Sequence, residues 1–193
     1  MYVDEIRAYT PQNEQEAADQ RLILEYIRLF PDNILTRDNE IAHLSSSGFV
    51  VNADGTRVLM AHHNIYRVWA WTGGHADGEG DLLSVALREA REETGLTLTD
   101  YRYRGIVTFV SDRWPTEYMH LFTADGFTGT LKECDEGDLE WIPKSRLLEL
   151  PHWEGDAIFL ALLDREEEPF FSLKLRYEGE TLAEAVLNGT HLK

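Results

Sequence analysis

The feature that most constrains this 193-residue chain is the run Asp81–Gly95, DLLSVALREAREETG, because both of its ends are marked. Asp81 is a good N-cap, since its carboxylate can accept the backbone N–H groups that a first helical turn leaves without partners. Gly95 follows the last turn and suits the left-handed residue that closes a helix, with Leu96 supplying the accompanying apolar contact. The run therefore predicts a helix over 81–94. The extended stretch before it, YRVWAWTGG, stops on two glycines.

At about 100° per residue, Leu83, Leu87, Ala90 and Thr94 share one stripe, the expected core face, and Ser84, Arg88 and Arg91 lie opposite. Glu89, Glu92 and Glu93 form a third sector, which holds Leu82, Val85 and Ala86 in the earlier turns. The carboxylates thus continue a sector that begins apolar, and a partly covered cluster is expected. Like charges three and four residues apart destabilise a bare helix by roughly a few tenths of a kcal/mol per pair. Protonation, an arginine or a divalent cation relieves that repulsion. Arg88 can pair with Glu92, which leaves Glu89 and Glu93 short of a positive neighbour. Hard cations such as Mg²⁺ or Mn²⁺ take oxygen ligands of this kind. Since Glu-x-x-Glu-Glu on a helix is most often a solvated face, the surrounding residues decide between the two readings.

Elsewhere the chain alternates short extended runs with a few helices. TPQNEQEAADQRLILEYIRLF predicts an N-terminal helix over 10–30, with Thr10 as cap and Pro11 at its first position. Phe49–Val51 and Val58–Met60 predict a hairpin around the Asp-Gly turn of NADGT. Two further strands follow in YRYRGIVTFVSD and EYMHLFTADGF. Then come a short strand with Pro143 opening a helix, a helix in WEGDAIFLALLDREEE, and a strand in FFSLKLRYEG before a short tail. The charge run REEEP reads as a solvated helix end. Strands without regular βαβ alternation argue for an α+β fold. The expected organisation is one domain over 1–193, with an N-terminal appendage over 10–30, a core over 47–151 and a C-terminal helix and strand over 152–193.

Charge narrows the function. Eighteen basic against 35 acidic residues give a net charge of −17, which disfavours nucleic acid and anionic membranes as partners. An anionic small molecule should arrive with a metal ion or meet a local basic patch. No apolar run is long enough to span a bilayer, and the polar, acidic N-terminus lacks a secretory pattern. Cys134, the sole cysteine, allows no intramolecular disulfide, and a cytoplasmic location is expected.

Gly74 and the run REAREETGL, which supplies Arg88, Glu89, Glu92, Glu93, Gly95 and Leu96 in register, resemble the Nudix box of the Nudix (MutT-like) hydrolases. The resemblance implies an α/β/α sandwich around a mixed sheet, here with an extra N-terminal helix. It also implies Mg²⁺- or Mn²⁺-dependent hydrolysis of a nucleoside diphosphate linked to another moiety. By the same resemblance Glu92 and Glu93 are the leading metal ligands, Glu89 is a third ligand or the general base, and Arg88 orients a box glutamate. Glu117, Asp135, Glu136 and Glu140 are further candidates for the base. Gly73 and Gly74 allow a tight turn and can aim N–H groups at phosphate. Arg67 and His75 are candidates for substrate contacts, and Trp69, Trp71 and Tyr118 for base stacking. His62, His63 and His75 match no zinc spacing.

The sequence departs from the box at two positions. Gly80 stands where the first glutamate should fall, flanked by Glu79 and Asp81, and Ala90 is smaller than the usual aliphatic residue. The Gly80 change reads as a local rearrangement of the loop, with Glu79 or Asp81 compensating. It is also the best argument for an alternative, a non-catalytic Nudix domain that senses a ligand or partner. A prenyl-diphosphate isomerase would need a cysteine in the lead-in to the box, whereas Cys134 lies downstream. The N-terminal helix and FFSLKLRY offer apolar surface for a homodimer.

Overall fold

In the computed structural model, which describes residues 2–65, 67–165 and 169–193, two helices open the chain: α1 (Tyr2–Ala8) and α2 (Glu14–Leu29). The expected helix over 10–30 begins later because Asn13, not Thr10, is its cap. Asn13 Oδ1 accepts the Glu16 amide at 3.0 Å, and the Glu16 carboxylate accepts the Gln12 amide at 2.6 Å and the Asn13 side-chain amide at 2.8 Å. This reciprocal cap outcompetes the Thr-Pro signal upstream. Helix α1, which buries no residue of its own, has no distinct sequence signature.

The strands are β1 (Ala42–Val50), β2 (Arg57–His63), β3 (Trp69–Ala70), β4 (Thr72–His75), β5 (Thr97–Ser111), β6 (Thr116–Thr128), β7 (Gly137–Pro143), β8 (Phe171–Glu178), β9 (Thr181–Leu187) and β10 (Thr190–His191). Helix α3 (Leu82–Thr94) lies between β4 and β5, and α4 (Asp156–Leu163) precedes β8. A mixed seven-stranded sheet has the order β10-β9-β8-β5-β6-β1-β4, and a smaller sheet has the order β3-β2-β7. The β1–β6 and β5–β8 pairs are parallel. This is the expected α+β class.

Three local expectations change. The runs predicted to form a hairpin fall in different sheets, joined by the single bridge Val51↔Val58. Both neighbours of β1 are already taken by β6 and β4, so β2 pairs with β7 and β3 instead. Pro143 leads into a 3₁₀ turn, Lys144–Glu149, rather than an α-helix. The tail after β8 is not irregular: Gly179, with φ 62°, turns the chain back as β9. The charge run at Glu166–Glu168 lies outside the described residues.

Strand β1 is buried along its whole length and divides the core. Ala42 and Leu44 pack with Ile23 and Ile27 of α2 and Val85 of α3. Phe49 packs on the other side with Phe159 and Leu163 of α4. Among the described residues no helix is long and apolar enough to cross a membrane.

Candidate functional site

The site is built on α3, and its ends form as the sequence predicts. Asp81 accepts the Leu83 and Ser84 amides at 3.1 and 3.2 Å. Gly95 is left-handed, at φ 81°. The buried stripe, however, is Val85, Ala86, Ala90, Glu93 and Thr94, with Leu83 and Leu87 only half-buried. The helix is rolled towards its carboxylate sector because its small residues meet the sheet there. A Cβ at Gly48 of β1 would lie 3.7 Å from the Ala86 carbonyl oxygen, and Ala90 is fully buried beside Val50 and Leu59. Ala90 therefore fits a close approach between layers, consistent with a packing role.

That roll carries Glu93 inside, where it is 8% exposed. Its Oε1 accepts the Gly73 N–H at 3.1 Å. Strand β4 is an edge strand, so an amide not used in the ladder is available to the helix. Burial pushes the Glu93 pKa up to about 8. The Gly73 bond acts against that rise, while Glu136 and Glu89 add to it. Burial also raises Glu89, opposed by Arg88 and reinforced by Glu92, Asp77 and Glu136. Arg88 lies 2.8 Å from the Glu89 carboxylate and 3.6 Å from that of Glu92. It thus bridges two glutamates, not one as the helix spacing suggested. Glu92 is on the wet face, its side chain 64% exposed, so the cluster is not covered as a trio.

Both glycines of the lead-in are required by close approach. A Cβ at Gly74 would come 2.7 Å from the Glu89 carboxyl group, and one at Gly73 would come 2.8 Å from the Ser47 Cα. No side chain fits at either glycine without displacing these neighbours.

The remaining candidates separate into groups. Glu136 is an electrostatic neighbour of both Glu89 and Glu93. Glu117 belongs to a neighbouring polar group: it accepts a hydrogen bond from Ser45 at 2.5 Å and acts electrostatically on His75. His75 lies opposite Ser45 in the β1–β4 register, with its ring 4.8 Å from that of His43. Its pKa is held down by burial and by His43. Residues 43, 45 and 47 share one face of β1 by the period of two. A polar row of His43, Ser45 and Ser47 therefore runs towards Gly73, the register partner of Ser47. His43 Nδ1 is buried without a hydrogen-bond partner. Sequence reasoning missed His43 and Ser45. The available signal was HLSSSG, a polar run in a strand that is buried throughout.

Arg67 is exposed on the β2–β3 loop at φ 57°, and Asp135 and Glu140 are also exposed. Tyr118 cannot stack on a substrate base: it is fully buried beside Tyr26 of α2, at 6.4 Å between ring centroids. Trp71 meets the edge of Phe159 at 5.1 Å, and Trp69 lies 5.2 Å from the His62 ring.

At Gly80 the loop meets an aromatic side chain. A Cβ at this position would lie 2.8 Å from the Tyr2 ring of α1, so an aromatic ring occupies the space beside the loop. Glu79 accepts the Asp81 amide at 2.8 Å, and Asp81 caps α3. Both carboxylates serve the start of the helix, about 18 Å along the axis from Glu93. Neither stands in for a ligand beside the glutamate cluster.

Among the described residues no three His, Cys, Asp or Glu side chains converge into a ready-made metal cage. The donor chemistry nevertheless fits a hard divalent cation. Glu93 is buried without a cationic partner among the described residues, and Glu89 and Glu136 press on it electrostatically.

A mixed sheet carrying a capped acidic helix against a two-glycine edge strand is the architecture of the Nudix fold. Residues 42–163 match the NUDIX domain model, and the chain belongs to that family. The match takes in all of β1 and α4, beyond the 47–151 core expected from the sequence. A mutator MutT protein from Bacillus halodurans superposes at a TM-score of 0.67 with 26% identity, over 75% of this chain and 97% of that one. A MutT NUDIX hydrolase from Burkholderia pseudomallei shares the fold at a TM-score of 0.56 and 20% identity, over 63% and 98%. The uncharacterized Nudix hydrolase YvcI of Bacillus subtilis is 32% identical over 97 residues, 48% of this chain and 61% of that protein. The CMP-5'-(N-acetyl-N-hydroxy-3-aminopropyl)phosphonate hydrolase of Streptomyces rubellomurinus is 33% identical over 113 residues, 52% of each. The chain thus spans between half and two thirds of the length of these two relatives.

Proposed function

We propose that the protein is a metal-dependent hydrolase of a nucleoside diphosphate linked to another moiety, cleaving the phosphoric anhydride by attack of water at phosphorus. The observation that carries this reading is Glu93, a buried carboxylate fixed by the Gly73 amide and lacking a cationic partner among the described residues, in register with Arg88, Glu89 and Glu92 of the box. Such a group is unfavourable for folding alone and is suited to hold a cation.

Glu93 and Glu92 would hold Mg²⁺ or Mn²⁺, with Glu89 as a third ligand or as the base. Bound there, the cation would neutralise phosphate oxygens and lower the pKa of water. Arg88 keeps Glu89 in place through its 2.8 Å contact. Gly73 and Gly74 keep the β4 edge clear of side chains, so that a phosphate can come close. Arg67 and His75 are the candidate substrate contacts outside the box, and the His43–Ser45 row beside His75 would meet the moiety beyond the phosphates. In the reaction, water gives a proton to a carboxylate and its oxygen bonds to phosphorus. The bridging P–O bond breaks, and two phosphate-terminated products leave.

The name of the Streptomyces relative supports a nucleoside 5'-monophosphate as one half of the substrate. We read Gly80 as a packing position beside the Tyr2 ring, which supports the catalytic reading over the non-catalytic sensor. The test is to incubate the protein and Mg²⁺ with nucleoside triphosphates, dinucleoside polyphosphates, ADP-ribose, nucleotide sugars and a CMP-linked phosphonate. Release of a nucleoside monophosphate, phosphate or pyrophosphate is expected from at least one of them. No product from any of them would move the reading to the sensor.

A further inference from the structure

The segment joining α2 to β1 precedes residues 42–163, the part that matches the domain model, yet it is fastened to the loop that follows β4. The Gly78 amide donates to the Leu35 carbonyl at 3.0 Å. Ile34 is buried in the same apolar cluster as Ala42 and Leu44, and Asn39 Oδ1 accepts the Ile41 and Ala42 amides at 3.0 and 3.1 Å. Arg37 therefore sits on backbone anchored on both sides. Its guanidinium reaches across to Asp77, with Nε 3.3 Å from one carboxylate oxygen and Nη2 2.9 Å from the other. Asp77 lies three residues beyond Gly74 and is left-handed, at φ 47°, a conformation that Asp tolerates better than most residues. The two side chains are 62% and 44% exposed, and a pair so exposed contributes little to stability. What the two-point grip does is fix the plane of the guanidinium.

We propose that Arg37, supplied by the segment before the Nudix domain, is a substrate-binding residue whose guanidinium, held by Asp77, takes two oxygens of a substrate phosphate. The proposal rests on the hydrolase reading above. Three observations carry it. The first is donor capacity. Arginine has five N–H donors, Asp77 takes one from Nε and one from Nη2, and Arg37 has no further hydrogen-bond partner among the described residues. Both Nη1 hydrogens and the second Nη2 hydrogen remain as a fork, the geometry that matches a phosphate. The second is position. Glu89 on α3 acts electrostatically on Arg37, and Arg37 acts on His75 of β4, so the guanidinium stands beside the two-glycine edge that keeps side chains away from the cluster. The third is need. A chain of net charge −17 repels an anionic substrate, and Arg88 is already shared between Glu89 and Glu92. Arg37 brings the positive group with donors to spare.

The test titrates the full chain with methylenediphosphonate, a diphosphate that cannot be hydrolysed, by calorimetry in the presence of Mg²⁺. The wild type should bind it. Arg37→Ala should weaken binding about tenfold or more, the loss of a charge-assisted hydrogen-bonded pair. Arg37→Lys, which keeps the charge without the fork, should fall between the two. Asp77→Asn keeps the guanidinium and a residue suited to the left-handed turn, and should weaken binding less than Arg37→Ala. Mn²⁺ affinity without the diphosphonate, read by electron paramagnetic resonance, should not fall in Arg37→Ala, since Arg37 meets the phosphate and not the ion. Unchanged diphosphonate affinity in Arg37→Ala would overturn the proposal while leaving the hydrolase reading in place. Equal losses in Arg37→Ala and Asp77→Asn, or a parallel fall in Mn²⁺ affinity in Arg37→Ala, would also overturn it, because the ion pair would then act only by shaping the loop. No binding by the wild type would overturn it together with the hydrolase reading.

Discussion

At the C-terminal end of α3, Glu93 lies buried against the Gly73 amide with no cationic partner among the described residues, whereas at the N-terminal end every carboxylate is employed. Asp81 caps the helix, Glu79 accepts the Asp81 amide, and the Tyr2 ring packs where Gly80 leaves room. One end keeps electrostatic tension that a bound cation would relieve. The other has been converted into packing and capping, which stabilise the fold without a ligand. The position lost from the box lies at the packing end, and the residues retained lie at the end that needs a partner.

Substitutions that exchange the character of the two ends test this contrast. The largest effect is expected from Glu93→Gln, which should reduce turnover by about 10²–10⁴-fold while leaving the circular dichroism spectrum unchanged. Gly74→Ala should follow, at about 10–100-fold by analogy with the loss of a supporting contact at a metal site, because its Cβ would displace the Glu89 carboxylate. At the other end, Gly80→Glu restores the usual box residue but collides with Tyr2. It should destabilise the protein to urea by about 1–3 kcal/mol, the usual range for overpacking, with turnover affected less than by Gly74→Ala.

A smaller effect concerns pH. The folded-state pKa of His120, about 4, lies below its ordinary value. Below pH about 6.5 the unfolded chain takes up a proton there that the folded chain refuses. Its contribution to stability is therefore complete above that pH and is lost as pH falls towards 4. Urea denaturation across this range should show a shallower decline for His120→Gln than for the wild type, by at most about 1.4 kcal/mol per pH unit. The smallest effect on stability is expected from Glu92→Gln. Its pair with Arg88 is exposed, and such pairs contribute about 0–1 kcal/mol.

The helix that carries the site was legible because both of its caps are local: Asp81 and Gly95 act within a turn or two of themselves. Its roll was not, because Ala86 and Ala90 are drawn inward by the approach of β1, a contact distant in sequence. The same limit applies to β1 and β2, where an Asp-Gly turn correctly marks the reversal but cannot say that β1 already has two partners. Glu89, Glu92 and Glu93 were read from fixed spacing, yet their differing burial depends on where the sheet lies. His43, Ser45 and the Tyr2–Gly80 contact were missed because each pairs segments 30 or more residues apart in the chain. Tyr118, proposed for stacking, shows how a strand's alternation can turn an aromatic ring into the core, here beneath α2.

The most direct test is binding of Mn²⁺, read by electron paramagnetic resonance in the absence of any nucleotide. The wild-type chain and Gly80→Glu should both bind the ion, and Glu93→Gln should bind it at least about tenfold more weakly, in line with the effect of losing support at a metal site. Equal affinity in the wild type and Glu93→Gln, or no binding by the wild type, would contradict a cation held at the buried end of α3.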